Sequence, residues 1–142
     1  MKNILVLCTG NSARSQMAHG YLQYFAGESA WVYSAGVAPH GINPLAIQVM
    51  AEDGIDISHH TSNHAHEYTS LPLDYVITVC DNAREQCPLF PSTAKKMHHS
   101  FTDPSHAGAD DKLAQFRVVR DEIKAYSQQF IEDNVTSQAT HA

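Results

Sequence analysis

A cysteine and an arginine, separated by five residues, stand in the segment 8–15, which reads Cys-Thr-Gly-Asn-Ser-Ala-Arg-Ser. This segment follows the short apolar run 4–7, which has the length and composition of a buried parallel strand. Such a strand delivers Cys8 to the carboxyl edge of its sheet, where open α/β sheets bind their ligands. A thiol beside a fixed guanidinium charge at this edge predicts a nucleophile that attacks a bound anion.

The residues between Cys8 and Arg14 are suited to an oxyanion-binding loop. Gly10 permits close backbone approach, and the N–H groups and dipole of a helix start favour an anion. The planar fork of Arg14 can hold two oxygens of a tetrahedral anion, and the positive surroundings are expected to lower the pKa of the Cys8 thiol. Ser12 or Ser15 can donate to the sulfur, and Ser12 can also cap the helix. The predicted oxyanion-binding residues are Thr9, Gly10, Asn11, Ser12, Ala13, Arg14 and Ser15. An ordinary capped helix after a buried cysteine is the alternative.

The composition is that of one globular domain. The 142 residues are 43% hydrophobic and carry a formal net charge of −6, which argues against a nucleic-acid partner. No Lys or Arg occurs between Arg14 and Arg84, so an anion bound early in the chain must rely on Arg14 and backbone dipoles. The first residues lead directly into a strand, and neither a signal peptide nor a membrane-spanning run is expected. We therefore expect a cytoplasmic protein, whose three cysteines are catalytic or metal-binding rather than a disulfide framework.

Strands and helices alternate along the chain, which predicts an α/β three-layer sandwich with a four-stranded parallel sheet flanked by helices on both faces. The first helix follows the loop, a second begins at Pro44 with Asn43 as its cap, and a long amphipathic helix begins at Asp110 or Asp111. We expect a single domain over 1–133 and a polar, disordered tail over 134–142. The predicted elements are strands at 4–7, 31–35, 74–80 and 96–98, and helices at 13–26, from 44 to Gly54, and from 110 or 111 to about 130.

Two further cysteines lie at positions with chemical meaning. Cys80 ends its predicted strand as Cys8 ends the first, so both are expected at the same edge of the sheet. Cys87 follows seven residues later, in a stretch with helix-forming residues and a proline stop. A helix would separate Cys80 and Cys87 by roughly 10 Å, whereas a disulfide needs Cα atoms about 4.4 to 6.8 Å apart. We predict a redox switch in which this stretch unwinds; two unrelated thiols are the alternative.

Taken together, these motifs resemble the thioredoxin-coupled arsenate reductases, which have the low-molecular-weight protein tyrosine phosphatase fold. The resemblance covers the chain from Asn3 to about Ile131. The phosphate loop is shared with the phosphatases, whereas the order and spacing of the three cysteines are more specific. The motifs are the loop 8–18, Tyr33-Ser34-Ala35-Gly36, Gly54-Ile55-Asp56-Ile57-Ser58, Thr61-Ser62, the pair Cys80 and Cys87, Phe101-Thr102-Asp103-Pro104, and Val119-Arg120-Asp121-Glu122-Ile123.

The resemblance implies a reaction and a partner. Cys8 would attack arsenate held by the loop and Arg14, and Asp103 would protonate the departing oxygen. Cys80 would then attack Cys8 and release arsenite, and Cys87 would attack Cys80, leaving a disulfide that thioredoxin reduces. Glutaredoxin or another thiol donor stays open as the reductant, and Asp103 could also serve only to start an Asp-Pro turn.

Some positions depart from the family pattern. Many members have a second cysteine where this chain has Ala13, whose N–H can still bind the anion. The potassium site of some relatives corresponds here to Asn11, His19, Ser34 and Asn63. Because both carboxylates of that site are absent, we expect no tight potassium binding.

The sequence is also compatible with functions other than arsenate reduction. A tyrosine phosphatase acting through a phosphocysteine would use the same loop, thiolate and acid, but such phosphatases are expected to place tyrosines after the Asp-Pro, where this chain has Ser105-His106. A non-catalytic redox or regulatory module would need neither Arg14 nor Asp103. The ten histidines, including His59, His60, His64 and His66, invite a metal site, but the cysteines have no metal-ligand spacing, and no metal or cofactor is predicted.

Overall fold

A computed structural model describes residues 1–80, 93–106, 108 and 110–136. Four parallel strands form one sheet in the order β2-β1-β3-β4. The predicted α/β fold, a four-stranded parallel sheet flanked by helices, is confirmed. The strands are β1 (Lys2–Cys8), β2 (Ala30–Gly36), β3 (Tyr75–Thr78) and β4 (Lys95–His98). The α-helices are α1 (Arg14–Ala26), α2 (Pro44–Glu52) and α3 (Lys112–Ile131), and 3-10 turns occupy Ala65–Tyr68 and Pro104–His106.

Successive residues of β1 pack into two different hydrophobic clusters, because side chains alternate between the faces of a strand. Ile4 and Val6 belong to the larger cluster, to which α1, α2 and α3 all contribute. Leu5 and Leu7 belong to a smaller cluster with Ala65 of the first 3-10 turn. All four β1 residues are fully buried, which explains why the sequence shows a continuous apolar run rather than alternation.

The helix starts agree with the sequence in part. Asn43 caps α2 as predicted: its Oδ1 accepts a hydrogen bond from the Leu45 N–H at 2.9 Å, and Pro44 occupies the first turn. The prediction that Ser12 caps α1 is wrong, because Ala13 is the N-cap residue and no side chain caps this helix. The long helix begins after Asp111, one of the two predicted residues.

Beyond α3 the chain continues as a π-helical turn, Glu132–Thr136. This turn places Val135 in the core at 5% exposure. The Asn134 side chain donates to the Phe130 carbonyl at 3.0 Å, which ties the turn to the end of α3. The first three residues of the predicted polar tail, 134–136, thus belong to the turn, and 137–142 lie outside the described residues.

Polar contacts at the end of α2 join the three α-helices. Tyr21 of α1 donates to Asp53 Oδ2 at 2.7 Å, and Lys124 of α3 lies 2.9 Å from the same oxygen. Burial and the hydrogen bond to Asp53 raise the pKa of Tyr21. Glu52 at the end of α2 binds Arg117 of α3 at 2.7 Å. None of the helices that the structure describes is long and apolar enough to cross a membrane.

Candidate active site

The loop between β1 and α1 forms the floor of a pocket with a cavity volume of about 230 Å³. This volume lies below the range of about 300–1,000 Å³ typical of organic-ligand sites and suits a small anion. Seven of the residues predicted to act in the site line this pocket, and three further residues, absent from the predicted set, complete its wall. The predicted ones are Cys8, Thr9, Gly10, Ser12, Ala13, Arg14 and Asp103; the others are His40, Asn43 and Ser105.

The predicted nucleophile, Cys8, and two charged side chains line this pocket together. Cys8 is a buried thiol at the carboxyl end of β1. Arg14, 5% exposed, donates from Nη1 to the Phe101 carbonyl at 3.3 Å, and its Nη2 lies 3.6 Å from Asp103 Oδ2. A guanidinium fixed in this way can bind an anion without first losing rotamer freedom. The site therefore combines a thiol, a fixed cation and a carboxyl group around one small cavity.

Asp103 is oriented by the residue that follows its proline. The N–H and the Oγ–H of Ser105 both donate to Asp103 Oδ1, at 3.0 and 2.7 Å. The other oxygen of the carboxyl group, Oδ2, faces Arg14. The Asp-Pro turn and the pocket-lining position are thus compatible: the turn holds the carboxyl group at the cavity wall.

The remaining two predicted loop residues lie beneath the pocket and shape it. Asn11 is buried and adopts a left-handed conformation with φ of 47°, which asparagine tolerates better than most residues. Its Nδ2 donates to the Oγ of the buried Ser15 at 2.9 Å, and its Oδ1 accepts from the Asn63 N–H at 2.8 Å. The Asn11 carbonyl accepts from Gln16 Nε2 and Ser62 Oγ, at 3.1 and 3.0 Å. The turn of the loop is therefore held from below by side chains of α1 and by the segment 61–64.

The connection from β2 to α2 runs along the same loop. The N–H groups of Ala38, His40 and Asn43 donate to the carbonyls of Thr9, Gly10 and Ser12, at 3.0, 3.3 and 3.0 Å. At the start of the connection, a Cβ on Gly36 would lie 2.5 Å from the Thr9 carbonyl oxygen, closer than any side chain permits. Glycine is required here so that β2 can approach the loop.

Cys80 lies two residues beyond the end of β3 and is fully buried. Because β1 and β3 are neighbouring parallel strands, and the Val79 N–H donates to the Leu7 carbonyl at 3.0 Å, Cys80 is at the same sheet edge as Cys8. Cys87, together with the stretch in which the redox switch was predicted, lies outside the described residues.

His19 occupies one of the positions that correspond to the potassium site of some relatives, and it packs against His60. The rings of His19 and His60 stack with their centroids 4.2 Å apart, and His19 Nδ1 lies 2.9 Å from Ser34 Oγ. Burial, followed by the nearby His60, lowers the pKa of His19 to about 3, and burial lowers that of His60 to about 4. The Asn11 Oδ1 already accepts an N–H, and within the described residues no group of three His, Cys, Asp or Glu is placed to hold a metal ion. These neutral residues do not fit a potassium site.

His40, Asn43 and Ser105 line the pocket but were not predicted from the sequence to do so. Ser105 directly follows the Asp-Pro turn, and ligands bind outside the carboxyl ends of parallel strands. The segment after β2 reaches the same edge of the sheet. The rule that ligands bind at this edge therefore indicates residues 37–43 as part of the pocket wall.

Comparison with known proteins agrees with this geometry. The family model for low molecular weight phosphotyrosine protein phosphatases matches residues 3–140. The chain belongs to this family. It is 47% identical over 129 residues to arsenate reductase 1 of Staphylococcus epidermidis, and the matched region covers 91% of this chain and 95% of that protein. The resemblance predicted from the loop and the cysteines is confirmed.

Solved structures of the family support the same relationship. An arsenate reductase in its phosphate-binding state matches with a TM-score of 0.82 and 31% identity, over 94% of this chain and 98% of that one. A thioredoxin-dependent arsenate reductase of Corynebacterium glutamicum matches with a TM-score of 0.67 and 25% identity, over 94% of this chain and 64% of that one. The pocket at the end of β1 thus belongs to a fold that occurs in arsenate reductases.

Proposed function

We propose that this enzyme reduces arsenate to arsenite through a relay of three cysteines, and that thioredoxin restores the thiols. The observation that carries the proposal is the placement of Cys8, Arg14 and Asp103 around one small pocket, in a chain 47% identical to an arsenate reductase. Residues 1–133 form the catalytic domain in this proposal, and the reaction takes place in the cytoplasm, where thiol reductants are kept reduced.

In the first step the loop holds arsenate by its backbone N–H groups and by Arg14. The Cys8 thiolate attacks arsenic and forms a sulfur–arsenic bond. One arsenic–oxygen bond breaks, and the oxygen leaves as water after taking a proton from Asp103. The fixed position of Arg14 and the two hydrogen bonds from Ser105 to Asp103 support these roles, because both groups are oriented before the anion enters.

In the second step the arsenic is reduced. The Cys80 thiolate attacks the Cys8 sulfur, the sulfur–arsenic bond breaks, and its electron pair stays on arsenic, which leaves as arsenite. Cys87 then attacks Cys80 and releases Cys8 as a thiolate, and the Cys80–Cys87 disulfide is reduced by the dithiol of thioredoxin. The shared sheet edge of Cys8 and Cys80 supports the first exchange, whereas the role of Cys87 rests on the sequence.

Phosphatase activity is the competing function, since the family model describes phosphotyrosine phosphatases. The described residues that line the pocket include no Phe, Tyr or Trp to flank an aryl group. The residue after Asp103-Pro104 is Ser105, which is engaged with the Asp103 carboxyl group. We therefore expect hydrolysis of small aryl phosphates only as a weak side reaction.

The relay is tested by following NADPH oxidation with purified thioredoxin, thioredoxin reductase and arsenate. The intact protein is expected to consume NADPH continuously. The Cys87→Ser variant is expected to stop after a single turnover, because its Cys8–Cys80 disulfide is not passed on. Replacing thioredoxin and its reductase by glutaredoxin, glutathione and glutathione reductase in a parallel reaction decides between the reductants. If the intact protein consumes no NADPH with either donor but hydrolyses aryl phosphates rapidly, the reductase proposal is wrong.

Mass mapping of the oxidised protein gives a second test of the relay. After one turnover without thioredoxin, the wild-type protein is expected to contain Cys80 joined to Cys87, and Cys87→Ser is expected to contain Cys8 joined to Cys80. If only the Cys8–Cys80 bond forms in the wild-type protein under every condition, the third cysteine has no part in the reaction.

A further inference from the structure

The imidazole of His40 lies directly over the oxyanion loop. A Cβ built on Gly10 would be 2.3 Å from His40 Nε2 and 2.9 Å from Cδ2, so the ring occupies the space where a side chain at Gly10 would stand. Both residues line the pocket of Cys8 and Arg14. Glycine at position 10 thus lets a histidine from the β2–α2 connection reach the rim of the anion site.

The backbone fixes where this ring stands. The His40 N–H donates to the Gly10 carbonyl at 3.3 Å, between the bonds that Ala38 and Asn43 make to the same loop. Gly41 follows with φ of 94°, a left-handed conformation that turns the chain away toward α2. The side chain is exposed on its outer side, but its position along the loop is set by main-chain contacts.

His40 also differs from its neighbours in how its polar atoms are used. Among the described residues, no side-chain hydrogen bond engages the His40 ring. By contrast, Asn43 caps α2 through Oδ1, and Ser105 donates to Asp103. A ring nitrogen directed at an anion-binding loop, with no structural bond of its own, is available for a ligand.

We propose that His40 is a substrate-binding residue, whose ring N–H donates a hydrogen bond to an oxygen of the oxyanion at the rim of the loop. This inference rests on the proposed function and extends it by one residue. Arg14, near the carboxylate of Asp103, supplies the fixed charge inside the pocket. His40 supplies a second donor where its ring lies against Gly10, so different oxygens of a tetrahedral anion are bound by Arg14 and by His40.

The test measures binding of inorganic phosphate by calorimetry, which needs neither reduction of arsenate nor a second protein. His40→Leu, which keeps a comparable bulk but has no donor, is expected to raise the dissociation constant about tenfold, as expected for a hydrogen bond to a charged group. His40→Gln keeps an N–H donor and is expected to recover most of the affinity. His66→Leu, a substitution of an exposed histidine outside the pocket lining, is the matched control and is expected to bind as the wild type does.

A second substitution separates loss of the donor from a change of bulk over Gly10. His40→Ala removes the ring without adding bulk beside the loop, and it is expected to lose about as much affinity as His40→Leu. Wild-type affinity in His40→Leu, or an equal loss in His40→Leu and His40→Gln, overturns the role of His40 while leaving the proposed function intact. Absence of phosphate binding by the wild-type protein overturns both.

Discussion

Acidification is expected to destabilise this protein through its stacked histidine pair. Burial, with smaller contributions from His60 and His59, holds the pKa of His19 at about 3, whereas an unfolded histidine has its ordinary value of 6.5. A hydrogen bond with the Val32 backbone opposes this shift without reversing it. The folded state therefore keeps His19 neutral over a pH range in which the unfolded chain takes up a proton.

The size of the effect follows from proton linkage. The contribution of neutral His19 to stability is fully present above its unfolded pKa of 6.5 and is lost progressively as the pH falls toward about 3. In this window the His19 side chain gains a proton only in the unfolded state. Between about pH 7.5 and about pH 5, His19 alone removes about 2 kcal/mol from the free energy of unfolding. The lowered pKa of His60 acts in the same direction. Because the free energy of unfolding of a typical domain is small, this loss is a large share of it.

The assay is urea unfolding at the two pH values, for the wild-type protein and for His19→Gln. The substitution removes the titrating group, so the fall in unfolding free energy between the two pH values is expected to be about 2 kcal/mol smaller in the variant than in the wild type. His66→Gln, at an exposed position, is the control for loss of a histidine from the surface. An identical fall in wild type and His19→Gln would refute the assignment of acid sensitivity to this pair.

Three further predictions test other parts of the structure. Gly36→Ala would place a Cβ 2.5 Å from the Thr9 carbonyl oxygen and is expected to weaken phosphate binding and to cost about 1–3 kcal/mol of stability. In the control, Gly20→Ala, the added Cβ meets only side chains of the core, so this variant should lose stability but not phosphate binding. Calorimetry measures the binding, and urea unfolding measures the stability. Lysine cannot make both contacts of the Arg14 guanidinium, to the Phe101 carbonyl and to Asp103, so Arg14→Lys should lower arsenate kcat/KM at least about tenfold. Unchanged kinetics would contradict the role of Arg14. Tyr21→Phe removes the 2.7 Å hydrogen bond between α1 and the end of α2 and should cost about 1 kcal/mol of stability in urea unfolding, with arsenate reduction unaffected.

The sequence was sufficient to place the parts of the site that follow one another along the chain. A four-residue apolar run, a glycine-containing loop and a helical repeat locate Cys8 at the end of β1 and Arg14 at the start of α1, because each signal is local. The cap of α2 at Asn43 could also be predicted from the sequence, since the side chain accepts a hydrogen bond from a backbone N–H two residues away. Element boundaries differ from the prediction: β3 is shorter than its apolar run, and α1 starts without a side-chain cap.

The parts that could not be predicted depend on contacts between distant segments. The Asn11 side chain accepts an N–H from Asn63, and the Gly10 carbonyl accepts one from His40. Neither contact can be predicted from the hydrophobic periodicity or the composition of the sequence, because each contact joins single residues of two loops. The stacking of His19 on His60 is of the same kind: the sequence shows two histidines, but their burial and low pKa values arise only when α1 meets the segment 57–61.

The main-chain bonds between the β2–α2 connection and the oxyanion loop have a consequence for how this enzyme can change. Three N–H groups of the connection bind three carbonyls of the loop, and none of these bonds involves a side chain. The side chains at positions 37–40 can therefore be exchanged over evolutionary time, or in a directed library, while the anion-binding loop keeps its shape, whereas Gly41 is held by its positive φ. The fold separates the part of the site that must stay constant for the chemistry from a replaceable rim that is free to adapt to new substrates.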